Sequence, residues 1–357
     1  MKFASRSVLL ATAMALFIPA ALAQATNNNS YPMPYTEHKG YFQLPDGRHM
    51  GSTSTISGDS KGNIWIVERC GANNCEGSPL DPVMEFSKDG KFIKSFGKGN
   101  LLFPHGLFID KNDNIWIADN HNNGKIGDDV IKFSPSGKVL MTLGTPGVAG
   151  NDYTHFHEPN AVAVGPDGSI YVSDGHSADV QQPAGFTNKN QTPTTGNARV
   201  SKFDKNGKFV TAWGGHGSGD GQFQNPHCFG IDTHGNVFVG DRSNNRIEKF
   251  DKNGKFLLAW SQFGRPSGCY IDSKNNLYVS DSESHAHQGY GHNPGFGRGV
   301  RIGSAETGQV VAYIPDDKDQ DQEKIVTTNG EGVYADKDGV VYDAEVGQKA
   351  VVVYKPK

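Results

Sequence analysis

Histidine follows proline twice in closely matched contexts: FPHGLFIDKNDNIWIADN, beginning at Phe103, and NPHCFGIDTHGNVFVGDR, beginning at Asn225. His105 and His227 therefore stand about 120 residues apart in one recurring pattern. Imidazole is the commonest metal ligand and also titrates near neutral pH, so a matched pair points to metal binding or proton transfer. Arg69 and Arg242 each follow an acid, in VERC and VGDRS. A guanidinium fork can grip a carboxylate through paired hydrogen bonds, or can simply pair with the adjacent Glu68 or Asp241. His176, in VSDGHS, can serve as acid–base group, as a metal ligand, or as an ordinary loop residue. The run SHAHQGYGH places His285, His287 and His292 in one glycine-rich loop, a loose metal site or a lid. His38, His49, His155, His157, His216 and His234 read as solvent-facing or capping residues.

The chain repeats, and the repeat is what must position these groups. Each unit reads as an apolar strand, a turn such as DKNDN or GPDGS, a second strand ending in an acid, a loop, and two further strands. VIKFSPSGKVLMTLG, VSKFDKNGKFVTAWG and IEKFDKNGKFLLAWS make the last two strands almost superimposable. The residue just before each first strand runs Ser54, His105, Asn160, His227, Ser267, Glu331. An acid follows each at a constant interval: Glu68, Asp119, Asp174, Asp241, Asp281, Glu345. Six units of roughly 40 to 65 residues with four strands each predict an all-β fold, a six-bladed β-propeller. The sixth unit stops after AVVVYK, its third strand, so an N-terminal strand is expected to close the ring, and Tyr41–Leu44 (YFQL) is available for it. The segment 181–197 and the run from Ser284 read as inserts on blades three and five. One propeller domain over residues 41–357 follows, preceded by an extension at 24–40.

The first two strands of a blade are antiparallel, so the opening residue and the residues after the acid meet at one mouth. Blades two, four and six lie about 120° apart in a six-membered ring, and they contribute His105, His227 and Glu331. Two imidazoles and a carboxylate with an open position form the ligand set of a catalytic divalent metal: zinc first, with iron and manganese as alternatives.

Residues 1–23 have a positive start at Lys2 and Arg6, an apolar run from Val8 to Leu22, and Ala21-Leu22-Ala23 at its end. They read as a cleavable signal peptide, which makes the mature chain periplasmic or secreted. No other stretch approaches the roughly 20 apolar residues of a transmembrane helix, so membrane insertion is not expected. The formal charge is −4 for the chain and −6 without the leader, with no basic block. Nucleic acid is a poor partner for such a surface. In an oxidising compartment Cys70 and Cys75, in CGANNC, are expected to pair. Cys228 and Cys269 are either a second bridge or two buried thiols. A monomer is expected.

The pattern resembles the NHL-repeat propellers over essentially the whole mature chain. Within them it is similar to the lyase domain of peptide-amidating enzymes, peptidylamidoglycolate lyase, in FPHGLFID with WIADN, EPNAVAVGPDGSIYVSDG, and GQFQNPHCFGID with VFVGDRSNNRI. The resemblance implies a metal-dependent carbon–nitrogen lyase that cleaves a carbinolamide to an amide and glyoxylate. Arg69 and Arg242 match arginines placed around the substrate in that family. His176 stands where the family has a tyrosine base, and Glu331 where it has a third metal-binding histidine. Gly332 replaces an aspartate that helps hold a structural calcium, so calcium is not expected. A peptide-derived or other small-molecule substrate is implied, and a separate hydroxylating enzyme would have to supply it. The two departures favour an alternative: a metal-dependent hydrolase or lyase acting on a small ester or lactone. A non-catalytic binding propeller is the third reading, since fold does not fix function.

Overall fold

The computed structural model describes residues 29–176, 196–316 and 330–357. The leader read at 1–23 and most of the blade-three insert lie outside these residues. Six four-stranded antiparallel sheets follow one another along the chain. Their inner strands are Thr53–Gly58, Pro104–Ile109, Pro159–Val164, Pro226–Ile231, Gly268–Ile271 and Gly330–Ala335. The second strands, such as Ile115–Asn122 and Val237–Asp241, are almost wholly buried because they are sandwiched between neighbouring blades.

The core lies between blades rather than within them. Trp65 and Val67 of blade one pack with Ile115, Ile117 and Phe133 of blade two. Tyr342 and Ala344 of blade six pack with Ile56, Ile66 and Met84 of blade one. Burying such apolar faces gains roughly 25 cal/mol per Å², and in a ring each blade supplies the cover for the next.

The six matched acids are buried, and those of blades one to five accept backbone amides. Asp119 accepts the amides of Leu102 (2.7 Å) and Phe103 (2.6 Å). Asp241 accepts those of Gln224 (2.9 Å) and Asn225 (3.1 Å), and Glu68 accepts that of Gly51 (2.7 Å). Each of these five carboxylates thus fixes the segment that leads into the inner strand of its own blade, where the site residues stand.

Two expectations need correction or completion. The fourth strand of blade six is Tyr35–His38, which pairs antiparallel with Ala350–Pro356, and not Tyr41–Leu44. The latter segment packs: Phe42 meets Phe86 and Tyr342, and Gln43 bridges to Lys91. Its apolar character marks a plug between blades rather than a strand. Both cysteine pairs are bridged. Cys70–Cys75 closes a short loop beside Arg69, while Cys228–Cys269 staples the inner strands of blades four and five.

Candidate metal centre

In five of the six inner strands the pairing register shifts by one residue at the strand start, at Thr53/Thr55, Pro104/Gly106, Pro159/Ala161, Pro226/Cys228 and Gly330/Gly332. The residue skipped by the ladder is in turn Ser54, His105, Asn160, His227 and Glu331. A β-bulge leaves its extra residue unpaired and re-aims its side chain. Here it turns each side chain to the propeller axis. Glycine after two of the ligands draws the ring tight. A Cβ on Gly106 would lie 2.5 Å from the Asn160 carbonyl oxygen, and one on Gly332 would lie 2.7 Å from that of Ser54.

His105, His227 and Glu331 meet as the alternate-blade argument requires. Glu331 Oε1 is 3.1 Å from His227 Nε2 and 3.6 Å from His105 Nε2. The ligand atoms of these three and of His176 all lie within 4.8 Å of one another. His105 Nδ1 is 2.9 Å from the Asn160 carbonyl oxygen, and His227 Nδ1 is 2.7 Å from that of Ser267. A carbonyl only accepts, so each Nδ1 carries the proton and each Nε2 presents a lone pair. Both Nε2 atoms are buried without a hydrogen-bond partner. Orphaned neutral nitrogens, each oriented through its other ring nitrogen, are what a metal needs from histidine, so the residues present fit a divalent first-row ion.

Odd-numbered blades brace what even-numbered blades offer. Ser54 Oγ donates to the Pro104 carbonyl at 2.9 Å, and Asn160 Nδ2 to that of Pro226 at 3.0 Å. Ser280 Oγ donates to the Gly330 carbonyl. Each acceptor immediately precedes a candidate ligand.

The electrostatics keep the set ready to bind. Burial pushes the His105 imidazole below its ordinary range and His227 down to about 3. Burial, reinforced by Arg242, holds His176 well below as well. For Glu331 burial alone would raise the carboxyl, but His227, His105 and Arg242 hold it well below the usual carboxylate range. Near pH 7 the imidazoles are neutral and the carboxylate ionised, the protonation state that metal binding demands.

Neither arginine is consumed by the acid beside it. Glu68 pairs with Arg48, and Asp241 with Arg246 at 3.1 Å. Arg69 is buried, donates to Asn73 Oδ1 at 2.8 Å, and lies 3.6 Å over the Phe103 ring. Burial lowers its pKa only to about 10, so it remains charged. Arg242 Nη1 is 3.5 Å from Glu331 Oε1, and Nη2 is 3.4 Å from His176 Nε2. Sequence reasoning missed Arg265, Glu283 and Tyr290 around Arg242. Glu283 Oε2 lies 3.3 Å from Arg265 Nε and 3.7 Å from Arg242 Nη1, and the Tyr290 hydroxyl donates to Glu283 Oε1 at 3.1 Å. Tyr290 comes from the blade-five loop, which therefore does reach the site. The three histidines of that loop do not assemble: among the described residues the axial group is the sole cluster able to hold a metal. His292 Nδ1 is 2.8 Å from the His287 carbonyl oxygen, so it is already occupied locally.

A cavity of about 790 Å³ runs along the axis from the ring of bulged residues to the turns at Asp110, Asp167, Asp232 and Asp272. His105, His227 and Glu331 line it; Arg69, His176 and Arg242 do not, and follow second strands that end at the other mouth.

No family model matches the chain. Over 233 residues it is 31% identical to peptidyl-glycine alpha-amidating monooxygenase of Mus musculus, covering 58% of this chain and 21% of that protein. Over 163 residues it is 31% identical to a probable peptidyl-alpha-hydroxyglycine alpha-amidating lyase of Caenorhabditis elegans, covering 44% and 39%. NHL repeat-containing protein 3 of Homo sapiens is 29% identical over 256 residues, 70% of this chain and 60% of the relative. The chain thus spans about a fifth of the length of the amidating monooxygenases it matches. Among solved structures, a putative gluconolactonase superposes with a TM-score of 0.57 at 13% identity, over 91% of this chain and 93% of that one; this likeness is of fold alone. The homologues therefore include an amidating lyase and NHL-repeat proteins.

Proposed function

We propose that the protein is a secreted or periplasmic metal-dependent lyase that cleaves the C–N bond of a carbinolamide carrying a carboxylate, as in a peptidyl-α-hydroxyglycine. The observation that carries this reading is the axial set itself: orphaned, oriented imidazole nitrogens beside an ionised Glu331, flanked by the buried Arg69 and Arg242, in a chain with amidating-lyase homologues. His105, His227 and Glu331 hold a divalent ion, zinc first, with iron or manganese as alternatives. A bound ion of this kind acidifies a hydroxyl and polarises oxygen.

The chain's own groups do the rest. Arg69 and Arg242 bind and orient the substrate carboxylate, since desolvated guanidinium groups bind carboxylates through strong, charge-assisted hydrogen bonds. The hydroxyl on the scissile carbon loses its proton and its C–O bond becomes C=O. The C–N electron pair leaves with nitrogen, which takes up a proton, so that amide and glyoxylate are formed with no redox partner. Glu331 and His176 both carry lone pairs that can accept that proton. The hydroxylated substrate must come from a separate oxidising enzyme.

The test is to incubate the protein with N-benzoyl-α-hydroxyglycine and assay benzamide and glyoxylate. Equal yields of both, abolished by a chelator and restored by one divalent metal, are expected. Turnover of a lactone or ester panel with no glyoxylate would favour the hydrolase reading instead, to which the carboxylate ligand Glu331 lends support.

A further inference from the structure

We propose that His176 is a fourth metal ligand, so that the centre is built from three imidazoles and one carboxylate. This rests on the metal site of the preceding section and changes its coordination number. The His176 ring centroid is 5.2 Å from that of His105 and 5.3 Å from that of His227, and the latter two are 4.7 Å apart. Histidine nitrogens sit about 2.1 Å from a first-row ion, with the ring centre roughly 1.15 Å beyond. Rings sharing one ion at right or tetrahedral angles are therefore about 4.6–5.3 Å apart. The three imidazoles form a nearly equilateral triangle of that size, and Glu331 completes a donor set contained within 4.8 Å.

The fold places His176 there deliberately. The second strand of blade three ends at Asp174. Gly175 then adopts φ +128°, and a Cβ at that position would collide with the Asn197 carbonyl, so only glycine makes the turn. The His176 amide donates to the Glu158 carbonyl at 3.1 Å, and its own carbonyl accepts from Asn225 Nδ2 at 3.0 Å. Asn225 stands two residues before His227, which ties this loop to the blade-four ligand. Arg242 Nη2 lies 3.4 Å from His176 Nε2; a guanidinium only donates, so Nε2 bears the lone pair, and a bound ion would take it over from Arg242.

A base and a ligand differ in what becomes of this lone pair: a base keeps it for the substrate's proton, whereas a ligand commits it. Four protein donors exceed the three of a catalytic tetrahedral zinc site. They suit an ion that accepts five or six donors, such as iron(II) or manganese(II), while leaving room for substrate oxygen.

Cobalt(II) reports coordination number without requiring turnover: its visible absorption is intense when four-coordinate and weak when six-coordinate. The metal-free full chain would be titrated with cobalt(II), alongside His176→Ala and His176→Asp, with melting curves to show that each variant folds. Wild type should take up one equivalent with weak absorption. His176→Ala should bind about 100-fold more weakly and absorb more intensely, and His176→Asp, which keeps a donor, should recover most of the affinity. An intense four-coordinate spectrum in wild type would overturn the proposal, as would wild-type affinity and spectrum in a folded His176→Ala. Failure of wild type to bind cobalt(II) at all would overturn the metal site itself, a separate and recognisable outcome.

Discussion

At the scale of single residues, the proposed metal centre depends as much on groups outside its ligand set as on the ligands. Asn160 is fully buried, donates to Asn225 Oδ1 and the Pro226 carbonyl, and accepts from Asn120. Asn160→Ala would orphan those partners, costing roughly 1–3 kcal/mol, and should weaken metal binding about 10- to 100-fold, as read by competition with a chromophoric chelator. Ser54→Ala should act in the same direction, and Ser54→Thr, which keeps the hydroxyl, should restore binding. The buried acids of blade two give a pH signature. Burial raises Asp119 to about 7 and Asp129 to about 8, the latter helped by Asp119 and Asp128. A carboxyl whose folded pKa exceeds its unfolded value contributes stability below the unfolded value, near 4. That contribution is lost as pH climbs through the folded pKa. Asp129→Asn, which mimics the protonated acid, should therefore raise the melting temperature at pH 8 by about 2 °C or more and have little effect at pH 5. His105, His227 and Glu331 were legible in the sequence because each opens a strand of a counted repeat. Arg265, Glu283 and Tyr290 were not, because their meeting depends on how one long loop folds back, and no local pattern encodes that.

At the scale of elements, the bulge is the device that turns a repeat into a site. Sequence periodicity locates the inner strands but carries no mark of the skipped residue, since Pro, Thr and Gly all precede it. For a similar reason, the outermost strand of blade six was misplaced. YTEH at 35–38 is short and mostly polar, as an edge strand needs to be, whereas the more apolar YFQL is spent on packing. The Cys228–Cys269 bridge sits next to His227 and two residues beyond Ser267, whose carbonyl fixes the His227 tautomer. Closing a loop of about 40 residues is worth roughly 4 kcal/mol in the chain-entropy model, against about 2 kcal/mol for Cys70–Cys75. The double variant Cys228→Ala/Cys269→Ala should therefore lose both stability and metal affinity, measured by denaturant unfolding and chelator competition. Loss of the 70–75 bridge should spare the metal, disturbing only the loop that carries Arg69.

At the scale of the whole molecule, six-fold repetition creates the opportunity and alternation gives it chemistry. Even blades present three of the proposed ligands at the axis, odd blades supply hydrogen bonds that hold them, blade three adding His176, and the buried arginines of blades one and four lie beside the set. The division was readable from a six-letter series of strand-opening residues, because a closed ring forces equivalent positions to face one another. The central claim is that one divalent ion is bound by residues from three alternate blades. Metal content by plasma mass spectrometry, on purified wild type, His227→Ala and Glu331→Gln, tests it most directly. The account predicts close to one equivalent in wild type and its loss in both variants. Wild-type protein devoid of metal after reconstitution, or both variants retaining a full equivalent, would contradict it.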